Sequence, residues 1–463
     1  MGGDFSCVIL AAGQGTRMKS DRPKVLHPVG GRPMLLHVLR AVWEAGCHDP
    51  VVVVGHGGEM VRSLVAQSSF SAARFAVQER QLGTGHAVLQ AKGVLPEAGT
   101  VLVVCGDTPL LRPATLRALV EEHRRGGFAA TVLTAHLNDP TGYGRVVRGP
   151  DSCLERIVEE KDATPEERAI KEINAGIYAF ELAYLWPALE RITPNNAQGE
   201  YYLTDVIGLL RAAGKAVGTL FCPDPQEILG VNSRRQLAGV EAVLRRRKAE
   251  DLMETGVTIV DPNATYIDVD VTVGRDTVIF PFTFLEGETV VGERCIIGPQ
   301  CRIVDSRLGD EVQIQYSLVY ESTLGRGVRV GPFAYLRPQT EVAEGAKIGD
   351  FVELKKARIG PGSKVPHHSY VGDAVVGAGV NIGAGTITCN YDGREKHQTV
   401  IEDEVFVGSN TNLVAPVRVG RGAYIAAGST ITRDVPPYSL GIGRARQSIL
   451  EGWVKKRRDR ERE

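Results

Sequence analysis

The stretch VGDAVVGAGVNIGAGT, Val371 to Thr386, sets an aliphatic residue before glycine at Val371-Gly372, Val376-Gly377 and Ile382-Gly383, the last two pairs six residues apart. Working outward, the same pairing starts at Val273, Val291, Ile297, Leu324, Val330 and Ile348, with spacings that include 18, 6, 6 and 18 residues. A second register, Ile359, Val371, Val407 and Val419, each followed by glycine, is spaced by 12, 36 and 12. Multiples of six sustained over about 180 residues are the signature of a parallel β-helix whose coils stack about 4.8 Å apart. Each flat face then needs one inward aliphatic side chain, and each corner a small residue. The one-residue offset between the registers predicts a bulge, and the run Cys389 to His397, which breaks the repeat, predicts a protruding loop of the kind that carries function on a solenoid.

Ahead of the repeats the pattern is different. Up to about Cys222 short β-rich runs alternate with helical ones, which predicts an open, mostly parallel sheet covered by helices. Val51–Val54 and Val101–Cys105 are apolar runs of buried-strand length, while Met34–Ala45 and Thr115–His123 have helical spacing. Ligands of such sheets collect at the carboxyl ends of the strands. There the chain reads LAAGQGTRM, Leu10 to Met18, followed by Pro23-Lys24-Val25-Leu26. Small residues and two glycines after a strand let backbone N–H groups approach an anion, and Arg17 and Lys24 add mobile positive charge. This is a phosphate cradle for a nucleoside triphosphate, although it lacks both the third glycine of a dinucleotide fingerprint and the Gly-Lys-Ser/Thr ending of a Walker loop. The charged stretch Ser233–Glu254 reads as a connecting helix; a nucleic-acid helix would not be interrupted by acids or lack interleaved aromatics.

The expected units are 1–232, a linker helix over 233–255, the β-helix over 256–445 and a tail over 446–463. The basic tail is expected to be disordered and solvated. With 54 Lys plus Arg against 55 Asp plus Glu among 463 residues, no global field favours nucleic acid or an anionic membrane. The eight cysteines are scattered without a Cys-x-x-Cys pair, as in a reduced cytosolic protein. No apolar run approaches the roughly 18 residues of a membrane span, and no leader peptide is evident, so a cytoplasmic location is expected.

Many strings along nearly the full chain match one family: LAAGQGTRM, PKVL, QLGTGHA (81–87), GDTPLL (106–111), PTGYGR (140–145), IVEEKDA (157–163), EINAGIY (172–178), NNAQGEYYLTD (195–205), GVN (230–232), ELKKARIG (353–360), HHSYVGDA (367–374), NIGAGTITCNYDG (381–393) and EGW (451–453). The chain resembles the bifunctional bacterial N-acetylglucosamine-1-phosphate uridylyltransferases/glucosamine-1-phosphate N-acetyltransferases. The resemblance implies a Rossmann-like nucleotidyltransferase domain, a linker helix and a left-handed parallel β-helix, an α/β architecture overall. It implies UTP and acetyl-CoA as co-substrates, Mg²⁺ as cofactor, and a homotrimer formed through the β-helix with acetyl sites between subunits.

In the N-terminal half the resemblance places Leu10, Ala11, Ala12, Gly13, Lys24, Gln78, Gly83, Thr84, Gly144, Glu159, Asn174 and Asn232 against UTP or the sugar nucleotide. Arg17 and Lys24 act on the phosphates, and Asp107 with Asn232 hold Mg²⁺, whose preference for a few oxygen ligands plus water and phosphate suits the pair. By itself Asp107 reads equally as a turn aspartate after a strand, and Glu159 as one of a solvated trio with Glu160 and Lys161. Some relatives carry an aromatic where this chain has Cys105.

In the C-terminal half acetyl transfer to an amine needs a base that titrates near neutrality, and His367 matches it. His367 and His368 are adjacent on a strand, so they point to opposite faces and cannot both serve one site. Arg337, Lys355, Tyr370, Asn381 and Lys396 resemble the set that holds the sugar phosphate; Ala384, Asn390, Tyr391, Ser409, Ala427 and Arg444 the set that holds acetyl-CoA. Ala384 and Ala427 also read as small corner residues. Three rivals stay open at this point: a monofunctional nucleotidyltransferase with the β-helix as scaffold, an exchange-factor-like binding protein, and a zinc-dependent β-helix hydratase, for which the repeat region offers only His367, His368 and His397.

Overall fold

The computed structural model describes residues 5–150 and 152–462; residues 1–4 and Glu463, the end of the basic tail, lie outside the described residues. The chain divides into two compact units, Met1–Arg245 and Arg246–Glu463. The division falls inside one helix, Arg234–Glu254.

The first unit is built on a sheet whose order is Val217–Phe221, Ala130–His136, Glu172–Glu181, Thr100–Cys105, Ser6–Ala11, Val51–Val54 and Arg74–Val77, with Gly144–Arg148 and Leu154–Val158 attached as a hairpin. Alternate residues of each strand face opposite helical layers. Cys7, Ile9 and Ala11 pack with Leu35, Val38, Leu119 and Val120, whereas Val8 packs with Val88, Leu185, Val206 and Leu210. Burial on both faces is why these strands read as unbroken apolar runs. The sheet is mostly parallel, as expected, with one reversed strand in its seven-strand path and an antiparallel hairpin at its side. Glu172–Glu181 runs antiparallel to both Thr100–Cys105 and Ala130–His136, and Gly144–Arg148 is antiparallel to Leu154–Val158. The physical reason is connection length: the turn between Arg148 and Leu154 is too short for a crossover, so the chain must reverse. Thr100–Cys105, Ser6–Ala11, Val51–Val54 and Arg74–Val77 remain mutually parallel, so their carboxyl ends share one edge.

The second unit is a parallel β-helix of three sheets with 11, 10 and 9 strands. Ile279, Ile297, Ile314, Val330, Ile348, Val365, Ile382 and Val407 form a continuous buried core. The register offset comes from unequal coils and not from a bulge. Val273 pairs with Val291, eighteen residues on, Ile314 with Val330, sixteen on, and Ile348 with Val365, seventeen on. Ile382 pairs with Val407, twenty-five on, because that coil carries the expected loop. The loop is a hairpin closed by a bridge between Tyr391 and Lys396, with Asp392 accepting from the Arg394 and Glu395 N–H groups.

Corners also differ from expectation. Tyr316, Phe333, Phe351 and His368 occupy one corner with φ of 48, 57, 55 and 45°, left-handed backbone that costs an L residue about 1–2 kcal/mol. Each coil locks the next: the Phe333 N–H donates to Tyr316 O at 2.9 Å, and the His368 N–H to Asp350 O at 3.0 Å. The aromatic rings stack down the corner, Phe333 on Phe351 at 5.3 Å and Phe351 on His368 at 5.0 Å between centroids. At the other end of the chain, the tail expected to be disordered contains a helix, Trp453–Arg460. Basic residues in its last turn suit the helix dipole, Arg457 pairs with Glu461 at 3.1 Å, and its guanidinium lies 5.6 Å from the Trp453 ring centroid.

Leu354 is fully buried in the β-helix core. Leu354→Ala is expected to destabilise this unit by about 2–5 kcal/mol, read as a lower urea midpoint for the C-terminal transition.

Candidate functional sites

The shared carboxyl edge of the parallel strands opens on a cavity of about 580 Å³ lined by Leu10, Ala11, Ala12, Gly13, Lys24, Gln78, Gly83, Thr84 and Asp107, all but Asp107 among the residues expected to touch the nucleotide. Gln14, Gln81 and Glu200, which lie within the quoted motifs but were given no side-chain role, also line it, as does Cys105. The glycines differ in purpose. A Cβ on Gly15 would sit 2.6 Å from Lys24 Cβ, at φ 64°, so this glycine lets the loop pack against the lysine. A Cβ on Gly13 meets nothing within 4 Å, which leaves its backbone open to the cavity. Arg17 sits exposed on the turn Thr16–Met18 and outside the cavity lining.

The Lys24 ammonium donates to both Asp107 Oδ2 and Asn232 Oδ1, the latter at 2.8 Å. An aspartate after one strand and an asparagine more than a hundred residues later thus converge on a single cation. Their oxygens fit a hard divalent ion whose remaining positions are filled by phosphate and water. Beside this edge, Gly144, Glu159 and Asn174 form a second cluster: the position of a Gly144 Cβ is 3.5 Å from Glu159 Oε1 and 3.6 Å from Asn174 Cβ. Asn174 is fixed by donating to Tyr178 OH at 2.6 Å and accepting from the Gly176 N–H at 3.0 Å. Burial raises the Glu159 pKa above the ordinary glutamate value, opposed by a hydrogen bond from Thr204 Oγ1 at 3.2 Å. Cys105 is pushed up to about 12, chiefly by burial, so it is an inert thiol there.

On the β-helix, coil register places widely spaced residues in a column. Asp350 pairs with His367, and the residues one before each left-handed corner, Ala384, Ser409 and Ala427, follow at the same level in successive coils. From His367 to Ala427 the column spans about 14 Å, three coil steps. The Arg444 guanidinium donates to Ala427 O at 2.7 Å and closes its upper end. His367 Nδ1 lies 2.5 Å from Asp350 Oδ1, leaving Nε2 outward, and the hydrogen bond to His367 holds Asp350 below the usual carboxylate range. His368 diverges from His367 because it turns the corner at positive φ, not because a strand alternates: the strand ends at His367. Asp350 was not singled out from sequence; its only signal was its place one coil ahead of His367.

Around the corner, Arg337, Lys355, Tyr370, Asn390 and Lys396 gather. Lys355 Nζ donates to Asp373 Oδ2 at 3.0 Å, Asn390 Nδ2 donates to that same oxygen at 2.5 Å, and it lies 3.3 Å from Tyr370 OH. Arg337 Nη1 donates to Glu353 Oε1 at 2.9 Å. The neighbouring Lys355 charge lowers the Lys396 pKa. Adjacent ammonium groups are costly unless an anion sits between them, so this cluster suits a phosphomonoester. Asn381 does not join it; it starts a strand of the other sheet, paired with Lys364. Tyr391 is exposed on the hairpin. Among the described residues no group of three or more His, Cys, Asp or Glu could hold a metal ion, and no helix is long and apolar enough to cross a membrane.

Residues 7–176 match the family model of the MobA-like NTP transferase domain, and residues 398–433 that of the bacterial transferase hexapeptide. The chain is 56% identical over 450 residues to the bifunctional protein GlmU of Heliobacterium modesticaldum, covering 97% of each. Similarity to the bifunctional protein GlmU of Carboxydothermus hydrogenoformans is 55% over 448 residues, 97% of this chain and 99% of the other. For that of Geobacillus thermodenitrificans it is 50% over 456 residues, 98% of each.

The raised Glu159 pKa makes a stability prediction with a definite sign. A carboxyl whose folded pKa lies above its unfolded value favours folding while protonated, and that contribution is lost as pH rises through the folded pKa. Glu159→Gln is therefore expected to raise the melting temperature of the N-terminal unit at pH 7.5 relative to the parent and to narrow that gap at pH 4, measured by calorimetry.

Proposed function

The chain belongs to the family of the bifunctional protein GlmU, and on that premise we propose that it makes UDP-N-acetylglucosamine in two steps, acetyl transfer followed by uridylyl transfer. Acetyl-CoA first acetylates the amine of glucosamine 1-phosphate. The product then attacks UTP.

In the first step the amine nitrogen attacks the thioester carbonyl, the C–S bond breaks, and the amine proton goes to His367 Nε2 before reaching the departing thiolate. Asp350 bonded to Nδ1 keeps the ring oriented and makes Nε2 the acceptor. The column of Ala384, Ser409 and Ala427 leaves a shallow trough for the pantetheine arm, with Arg444 at the end where its phosphates would lie, and Asn390 and Tyr391 at the hairpin. Arg337, Lys355, Tyr370 and Lys396 take the sugar phosphate. The observation that carries this reading is the coil register, which sets the His367–Asp350 pair in line with small residues and across one corner from the cation cluster.

In the second step an oxygen of the sugar 1-phosphate attacks the α-phosphorus of UTP and pyrophosphate leaves. The nucleophile is already an anion, so alignment and charge neutralisation suffice. The N–H groups of Gly13–Gly15 and Lys24 serve the triphosphate, with Arg17 reaching it from the exposed turn outside the cavity lining, while Gln78, Gly83 and Thr84 meet the base or ribose. Gly144, Glu159 and Asn174 receive the sugar. Asp107 and Asn232, which meet at one cation position, would hold Mg²⁺; bound there, it would offset triphosphate charge.

Trimerisation completes the acetyl site. Asn381 lies on a different sheet from the cation cluster, and a cyclic arrangement would bring one face of each copy to the next. Phe333 and Phe351, 55% and 54% exposed on the corner beside His367, supply an apolar seam for that contact.

Two outcomes follow from this division of labour. His367→Ala should lower acetyl transfer about a hundredfold to ten-thousandfold and leave uridylyl transfer near the parent rate, while Asp107→Ala should do the reverse, in separate assays of each half-reaction. A protein that transfers uridylyl but never acetyl groups would make the β-helix a scaffold only. Phe351→Glu should convert the trimer to monomer in light scattering, with acetyl transfer lost and uridylyl transfer kept.

A further inference from the structure

Within the QLGTGHA run, His86 has no part in the two reactions as derived so far. It sits on the helix Thr84–Leu89, just after the loop that ends at Gly83. Gln78, only 3% exposed, lines the nucleotide cavity at the end of the strand Arg74–Val77. Its Nε2 donates to Gly83 O at 3.1 Å and lies 2.9 Å from His86 Nδ1. A backbone carbonyl only accepts, so the nitrogen of the amide, and not its oxygen, faces Gly83. The second hydrogen of that nitrogen then points to His86 Nδ1, which must carry a lone pair, with the ring proton on Nε2. Gln90 Nε2 donates to His86 O at 3.1 Å and also lies 3.3 Å from His86 Nε2; a neutral ring accepts at one nitrogen only, and the shorter 2.9 Å contact from Gln78 assigns the lone pair to Nδ1. Burial lowers the His86 pKa from its ordinary value, which favours the neutral ring that alone can accept.

With both hydrogens committed, Oε1 is the polar atom of the Gln78 side chain left for a ligand in the cavity. A carbonyl oxygen complements a base edge that offers N–H and opposes one that offers a lone pair. At N3 uracil presents N–H and cytosine a bare lone pair, so an oxygen set against N3, and not against C4 where cytosine carries an amino donor, tells the two apart. Turning the amide over would place oxygen against the Gly83 carbonyl and the His86 lone pair together. We propose that His86 is a positioning residue for nucleobase selection: by accepting from Gln78 Nε2 it commits the amide oxygen to the base, so UTP is admitted and CTP refused. The inference rests on the proposed place of Gln78 beside the nucleobase.

The test is the ratio of kcat/KM for UTP to that for CTP in nucleotidyl transfer to N-acetylglucosamine 1-phosphate by the full-length protein, with acetyl transfer as a control for folding. His86→Phe keeps the ring volume and removes the acceptor. It is expected to lower the ratio about tenfold or more, because a buried amide hydrogen no longer has a fixed partner, while kcat at saturating UTP stays near the parent value. His86→Asn, whose amide oxygen replaces Nδ1, is expected to restore most of the ratio. A parent-like ratio in His86→Phe, or an equal loss for UTP and CTP in both variants, overturns the role of His86. If the parent itself fails to turn over UTP, the uridylyl reading has failed and this inference falls with it.

Discussion

Parallel pairing of strands is the constraint on which both candidate sites depend. In a parallel pair neighbouring strands point the same way, so chemically useful residues at one end of each strand collect on one edge however far apart they lie in the chain. In the N-terminal unit this brings the Leu10–Gly13 loop, Gln78 and Asp107 to one cavity. In the β-helix it is stricter, because every coil repeats the previous register. Asp350, His367, Ala384, Ser409 and Ala427 line up only because each coil returns its backbone hydrogen bonds to the coil before. A single register slip would move the carboxylate away from the imidazole.

Around these edges the charge arrangements are costly for folding and useful for binding anions. Lys355 beside Lys396 concentrates positive charge where phosphate is expected, while Lys24 is held in the nucleotide cavity by Asp107 and Asn232. Glu159 is held in a pocket that disfavours its charged form. Corners held at positive φ by Phe333, Phe351 and His368 add backbone strain, countered by coil-to-coil hydrogen bonds and ring stacking. Locally unfavourable positions of this kind persist only where a cooperative scaffold over-determines them.

Much of the fold was legible in the chain because its signals are local and periodic. Aliphatic-glycine pairs specified the β-helix, and apolar runs of strand length marked Val51–Val54 and Val101–Cys105. Which strand of the mostly parallel first sheet reverses, Glu172–Glu181, was not legible, since strand direction depends on the route of the connections and not on the composition of the strands. The helix Trp453–Arg460 was hidden by its charge, which suits a solvated tail as well as a helix with a favourable dipole. Likewise the aromatic corner could not be read: small residues are the general choice for left-handed backbone, and only stacking on the neighbouring coil makes Phe and His acceptable there.

Sequence alone marked the candidates for the chemistry: the glycine loop with Lys24, Asp107 and His367 stand in short contiguous motifs, while Arg337 and Lys396 were marked only by the family resemblance. Tertiary structure alone decided the partners of those groups. Asp350 on His367, Asn232 opposite Asp107, Thr204 on Glu159 and His86 on Gln78 are each brought together by strand register or by a loop returning to the sheet edge. Hydrogen bonds act over about 3 Å whatever the separation along the chain, and it is the folded backbone that sets that distance.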